Sequence, residues 1–358
     1  MIKGHGGNLE EAACVSGRQA ESIIDFSASV NRSVDIGLFQ TWLMEATAAI
    51  NHYPDPEYAE LKEKIARRHG LAVDSILLGN GATELLYLAP RALKTRNGLT
   101  LAPSYADYAD ALTFAGARVE RLLLKHQNGF AYDYADVSHA VHKACDMVII
   151  GNPNNPTGSA VTAGAMRELM ASFPRETFVV DESFADFSPG VSILPTLPPN
   201  GIVLRSFTKF YGIPGLRAGF AVAHPDVIRK LAAVKEPWTL NSVAEHVCRR
   251  LLEGGVDEER IRDETQSGRE FLLQALWACD GLALYPSPAN YILAHISSKT
   301  MTAAELRIAL LKNDGILIRD CGNFAGLGPY WFRIAVRGMA DNEKLASAIG
   351  AALCGRSR

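Results

Sequence analysis

Ile202-Val-Leu-Arg-Ser206-Phe-Thr-Lys209-Phe-Tyr-Gly-Ile-Pro-Gly-Leu-Arg217 joins two kinds of sequence. Ile202–Ser206 is a short apolar run of strand length, and the residues after it are rich in glycine, proline and hydroxyl side chains. A strand that is apolar throughout is covered on both faces, which is the habit of parallel sheets. In such sheets the loops at the carboxyl ends of the strands carry the ligand-binding groups. Lys209 stands in that loop between the hydroxyls of Ser206 and Thr208, with Arg217 eight residues on as a fixed, forked cation. Two readings are open. The loop is either a phosphate cradle whose lysine does covalent work, its amine freed by burial among cations, or a surface loop with a solvated lysine.

Outward from this stretch the same pattern repeats. Ser75–Gly79, Gly98–Ala102, Met147–Gly151, Thr177–Asp181 and Ala218–Ala223 read as buried strands, and Tyr58–Arg68, Ala106–Gly116 and Ala163–Phe173 as amphipathic helices between them. Strand and helix in alternation predict an α/β fold with a mainly parallel sheet, over residues 50–240. Next come two helices, Ser242–Gly254 and Glu264–Ala278. Asn290–His295, the helical run Ala303–Leu311, Ile316–Arg319 and Trp331–Val336 then suggest a smaller α+β domain, 241–358. Residues 1–49 are read as an N-terminal arm and part of that small domain. The arm's first thirty residues pack on the C-terminal unit or across a subunit boundary.

Bulk properties narrow the function. A chain of 358 residues predicts two domains. A net charge of -3 with only paired basic residues (Arg67-Arg68, Arg249-Arg250) argues against a nucleic-acid partner. The cysteines at 14, 145, 248, 279, 321 and 354 are scattered. This argues against structural zinc and a disulfide framework and fits a reducing compartment. The start, MIKGHGGNLEE, lacks the apolar segment of a signal peptide, and no apolar run approaches the roughly 20 residues of a membrane helix. A soluble, cytoplasmic protein is expected.

Asp181 closes the strand TFVVD and so reaches the sheet edge that carries Lys209. Such an aspartate is a helix cap or a functional carboxylate. A pyridoxal phosphate (PLP) ring needs an acid at its nitrogen, because the protonated ring is the better electron sink. Gly151-Asn-Pro-Asn-Asn155-Pro-Thr-Gly158 also comes after a strand. It is either a tight loop or the place where Asn155 meets the cofactor's ring oxygen. Gly79-Asn-Gly-Ala-Thr-Glu84 resembles a dinucleotide loop but ends in glutamate, and bare amides at Gly81, Ala82 and Thr83 suit a single phosphate equally well. Tyr105, in Ala102-Pro-Ser-Tyr105, either stacks on a flat cofactor or belongs to the core. Arg333 and Arg337 share a strand face by the period of two, so at least one is expected to meet an anion.

With NPNNPTG, the strand-terminal Asp181-Glu-Ser183, Ser206–Lys209 and Arg217 in this order and spacing, the chain resembles fold-type-I PLP enzymes of the aspartate-aminotransferase superfamily from end to end. Within it the chain is similar to histidinol-phosphate aminotransferases and, more closely, to the threonine-phosphate decarboxylases of cobalamin biosynthesis. The closer likeness rests on His5-Gly-Gly-Asn8, Lys209–Arg217, Pro237-Trp238, Asn241-Ser242, Ala289-Asn-Tyr291, Ile318–Asn323 and Arg333–Arg337. The resemblance implies the Schiff-base role for Lys209, the pyridine-nitrogen role for Asp181, the ring-oxygen role for Asn155 and stacking for Tyr105. It implies a phosphate shell of Gly81, Ala82, Thr83, Ser206, Thr208 and Arg217, with Tyr53 reaching the neighbouring subunit's phosphate in a homodimer with shared sites. Arg319 and Arg333 are implied to hold the substrate's phosphate and carboxylate, with His5 and Gly6 closing over the phosphate.

The implied reaction is decarboxylation of L-threonine O-3-phosphate to (R)-1-amino-2-propanol O-2-phosphate. The alternatives are an aminotransferase for histidinol phosphate or a similar compound, and a decarboxylase of phosphoserine or a phosphono-amino acid. The chain departs from the family pattern at Ser29, where a substrate-contacting asparagine is usual. It departs again at Arg32, where proline is preferred, and at Phe184, where many aminotransferases carry tyrosine.

Overall fold

The computed structural model describes residues 6–132, 134–141 and 145–354; His5 therefore lies outside the described residues. Its strands in chain order are β1 (Ile24–Asp25), β2 (Ile76–Asn80), β3 (Asn97–Ala102), β4 (Arg118–Leu123), β5 (Met147–Gly151), β6 (Thr177–Asp181) and β7 (Gly201–Ser206). They continue with β8 (Ala218–Ala223), β9 (Leu282–Tyr285), β10 (Tyr291–Ile296), β11 (Ile316–Leu317), β12 (Arg319–Asp320) and β13 (Trp331–Ala335). Seven of them form the large sheet in the order β2-β8-β7-β6-β5-β3-β4. Six run in one direction, and β8 runs antiparallel to both of its neighbours, so the sheet is mixed. Its inner strands are apolar because both faces are covered: Val148 and Ile150 enter one core, Met147 and Ile149 the other. The carboxyl ends of β3, β5, β6 and β7 thus lie along one edge of a rigid platform.

A four-stranded antiparallel sheet, β12-β13-β10-β9, forms the small domain. The arm packs on the C-terminal unit: β1 pairs in parallel with β11, and Phe26 O accepts from Ala335 N at 2.8 Å. It reaches the large domain as well, where Asn31 N donates to Lys209 O at 2.9 Å and Asn31 Nδ2 to Phe210 O at 2.9 Å.

Several expectations need correction. β4 escapes sequence reading because it is the exposed edge strand, where the solvated pattern Arg-Val-Glu-Arg has no apolar face to show. Ile316–Arg319 is two strands in different sheets, β11 and β12. The helix expected from Glu264 begins at Glu258, capped by the Asp257 side chain on Arg260 N at 3.0 Å; its polar first turns carry little apolar periodicity. Arg337 lies beyond the end of β13, so it does not extend that strand's alternating face. Cys279 is disulfide-bonded, a bridge the scattered cysteines did not suggest, while Cys14, Cys145, Cys248 and Cys321 are free. Among the described residues no helix is long and apolar enough to cross a membrane.

Candidate active site

Lys209 sits on a single helical turn, Phe207–Phe210, and not in an open loop. Ser206 ends β7 and caps that turn, its hydroxyl accepting from Thr208 N at 3.2 Å and lying 2.7 Å from Thr208 Oγ1. The amine faces a cavity of about 340 Å³ between the two sheets, also lined by Asp181, Asn155, Arg217, Arg319 and Arg333. Burial, then the charges of Arg333 and Arg217, lower the Lys209 pKa to about 8, with Asp181 opposing.

Asp181 ends β6 and is fixed by three donors. Tyr108 Oη reaches Oδ2 at 2.8 Å, while Ser183 N and Oγ reach Oδ1 at 3.0 and 2.6 Å. A carboxylate has about four acceptor sites, so one remains for a proton on a ligand ring. Tyr108 and Ser183 were not anticipated as supports. Ser183 was visible in the Asp-Glu-Ser run, and Tyr108 could have been found as the residue three after Tyr105 on the same helix face.

Opposite the lysine turn, the helix Gly81–Ala92 starts directly from β2. Gly81 has φ +74°, and a Cβ there would lie 2.6 Å from Arg217 Nη2. A Cβ on Gly219 of β8 would lie 2.5 Å from Ala82 N. Both glycines permit the close approach that sets Arg217 beside the helix's open amides at Ala82 and Thr83. Tyr105 is part-buried at the cavity wall, its hydroxyl donating to Asp107 at 2.8 Å.

Arg333, on β13, is buried (6% exposed) with no carboxylate partner among the described residues. It donates to Asn155 Oδ1 and to Ser27 O, the latter at 2.9 Å, and lies over the Tyr291 ring at 5.2 Å. Arg319, on β12, donates to Asp320 O and to Asn323 Oδ1 (2.9 Å) and lies over Phe324 at 5.1 Å. Burial lowers the pKa of both guanidiniums. Ser29 lines the cavity with a buried hydroxyl that has no hydrogen-bond partner among the described residues. Gly6 lines it too, where a Cβ would collide with Ser27 O at 2.2 Å.

One expected residue is elsewhere. Arg337 is committed to Asp341 (3.0 Å), to Asp25 O (3.1 Å) and to the Phe26 ring, and does not line the cavity, because it lies past the end of β13. Tyr53 is 82% exposed, its ring 4.9 Å from Trp238, outside this chain's own cavity. Arg32 is exposed and Phe184 lines the cavity.

The profile described as aminotransferase class I and II matches residues 23–350. The chain belongs to that family. It is 32% identical over 361 residues to a threonine-phosphate decarboxylase of Salmonella typhimurium, covering 98% of this chain and 97% of the other. It is 32% identical to an adenosylcobalamin biosynthesis bifunctional protein, CobDQ, of Leptospira interrogans, covering 96% of this chain and 40% of that longer protein. A histidinol-phosphate aminotransferase of Carboxydothermus hydrogenoformans is 30% identical, covering 86% of this chain and 84% of the other. Among solved structures, the L-threonine-O-3-phosphate decarboxylase of Porphyromonas gingivalis matches with TM-score 0.83 and 30% identity, covering 92% of this chain and 98% of that one. The cavity's donor set fits the family's cofactor, PLP. It offers a depressed lysine amine, a carboxylate with one acceptor site left, and a cradle of hydroxyls, helix amides and Arg217 that an added Cβ would fill.

Proposed function

We propose that this enzyme decarboxylates L-threonine O-3-phosphate to (R)-1-amino-2-propanol O-2-phosphate for cobalamin biosynthesis. The observation that carries the reading is the pair Arg319 and Arg333, which face the lysine from adjacent small-domain strands. Two anchored cations suit a substrate with two anionic ends, and the threonine-phosphate decarboxylases among its relatives support the choice.

In this reading Lys209 Nζ holds PLP, with Asp181 at the ring nitrogen, Asn155 at the ring oxygen and Tyr105 against the ring face. Ser206, Thr208, Arg217 and the amides of Ala82 and Thr83 hold its phosphate. Bound PLP supplies an electron sink for the electrons released at the substrate's α-carbon. Arg319 and Gly6 take the substrate phosphate, joined by His5; Arg333 takes the carboxylate, and Ser29's unpartnered hydroxyl offers a further contact. Holding both ends fixes which bond at the α-carbon lies perpendicular to the ring, a matter of orientation. An amine of pKa about 8 is about one-quarter neutral at pH 7.5, against about a thousandth for an ordinary lysine. Lys209 Nζ, once displaced by the substrate amine, can therefore take up a proton as a base and, as the ammonium, return it to the α-carbon after carbon dioxide leaves.

Tyr53, exposed and tilted against the Trp238 ring, is assigned to the partner's cofactor phosphate in a cytoplasmic homodimer. The test is incubation of holoenzyme with L-threonine O-3-phosphate. Carbon dioxide and the amine phosphate should appear in equal amounts without any oxo acid. A requirement for 2-oxoglutarate would instead indicate transamination of a phosphorylated amine such as histidinol phosphate. Preference for phosphoserine or a phosphono-amino acid would trace to Ser29.

A further inference from the structure

The Ala289-Asn-Tyr291 segment has no part in the proposed reaction so far. Tyr291 opens β10, is fully buried, and touches two different parts of the site. Its ring carries the Arg333 guanidinium at 5.2 Å. Its hydroxyl donates to Asn154 O at 2.7 Å, the carbonyl next to Asn155. Arg333 itself donates to Asn155 Oδ1, so ring, guanidinium, asparagine and hydroxyl form a closed circuit. Phe184 braces the ring edge-on at 5.0 Å. Burial raises the Tyr291 pKa, which keeps the phenol a neutral donor.

We propose that Tyr291 is a positioning residue that sets the angle between Arg333 and Asn155, and thereby which bond at the substrate α-carbon breaks. This rests on the decarboxylase reading, in which Arg333 holds the carboxylate and Asn155 the cofactor ring. A cation held to a ring face in a desolvated site cannot slide without losing that contact. Freed, Arg333 would let the carboxylate leave the perpendicular position and the α-hydrogen take it. In decarboxylation the bond between the α-carbon and the carboxyl breaks, carbon dioxide leaves, and a proton adds to the α-carbon. In the competing reaction the α-proton moves to the cofactor carbon and the amino nitrogen stays there as pyridoxamine phosphate. Water supplies the oxygen of the departing 2-oxo acid.

The experiment compares wild-type, Tyr291→Phe and Tyr291→Met holoenzymes on L-threonine O-3-phosphate. It measures carbon dioxide, pyridoxamine phosphate, kcat and KM, and PLP affinity from the visible band of the lysine-bound cofactor. Thermal melts check folding. Tyr291→Met loses ring and hydroxyl but fills the space, and should raise both the fraction of turnovers ending in pyridoxamine phosphate and the KM about tenfold. Tyr291→Phe keeps the ring, so KM should stay within about threefold. PLP affinity should fall severalfold and the partition shift about threefold in the same direction, since a buried carbonyl is left unmet. The Phe variant decides the matter if the Met variant does not fold. An unchanged partition in folded variants of an enzyme that decarboxylates would overturn the proposal alone. A wild type that releases no carbon dioxide would overturn the decarboxylase reading and the proposal with it.

Discussion

Replacing Lys209 by methionine should make the cofactor-free protein more stable. The lysine pKa is lowered to about 8 from its ordinary 10.5, chiefly by burial and then by Arg333 and Arg217. Below pH 8 the folded protein must carry an ill-placed cation that the unfolded chain carries at no cost. Between pH 8 and 10.5 the unfolded chain binds a proton that the folded protein has lost, so stability rises with pH through that window. The full shift corresponds to about 3 kcal/mol, and residual solvent contact of the side chain brings it to about 2–3 kcal/mol. Methionine keeps the unbranched stem and removes the charge. At pH 7 apo Lys209→Met should therefore exceed apo wild type by about 2–3 kcal/mol, the gap closing as pH climbs from 8 to 10.5. Urea unfolding of both apoproteins across pH 7–10.5, at constant ionic strength, measures the difference. A gap that does not change with pH, or a wild type more stable at pH 7, would refute the reasoning.

Two further substitutions probe the platform beneath the site. Arg205, 6% exposed, pairs with the fully buried Glu182 at 3.0 Å and with Asp186. Arg205→Met should cost about 3–5 kcal/mol in urea unfolding because the buried Glu182 loses its counter-ion and keeps only the Ser192 hydroxyl and Ile193 N–H as donors. Gly81→Ala places a methyl 2.6 Å from Arg217 Nη2 at a φ of +74°. PLP affinity, read from the visible band, should weaken by at least about tenfold while the rest of the fold persists.

The platform is legible in the sequence because the inner strands β5, β6 and β7 are mainly apolar and end on a polar residue or glycine: Gly151, Asp181, Ser206. That pattern alone puts Asp181 and Lys209 at one edge. The supports are not legible, because they depend on pairs distant in sequence. Tyr108 meets Asp181 across 73 residues, Tyr291 meets Asn154 across 137, and Arg333 meets Asn155 across 178. Arg337 shows the opposite failure. Period-two reasoning treats a strand as endless, whereas β13 stops at Ala335, and Arg337 turns to Asp341 at the start of the final helix.

The electrostatics of the cavity constrain what it can bind. Among its lining residues Lys209, Arg121, Arg217, Arg319 and Arg333 are cationic, while Asp181 and Asp110 are carboxylates, a surplus of three positive charges. Depressed pKa values at Lys209, Arg319 and Arg333 are the cost of that crowding and of burial. One phosphate brings about -1.5 to -2 and cannot offset the surplus. Two phosphates and a carboxylate can, even after a substrate ammonium is counted. The chain gathers more cation than a cofactor alone requires, and among the described residues holds Arg333 on neutral partners, Asn155, Ser27 and the Tyr291 ring. A buried guanidinium kept without a counter-ion is costly, and in the proposed reading the second anionic end of the substrate would offset that cost.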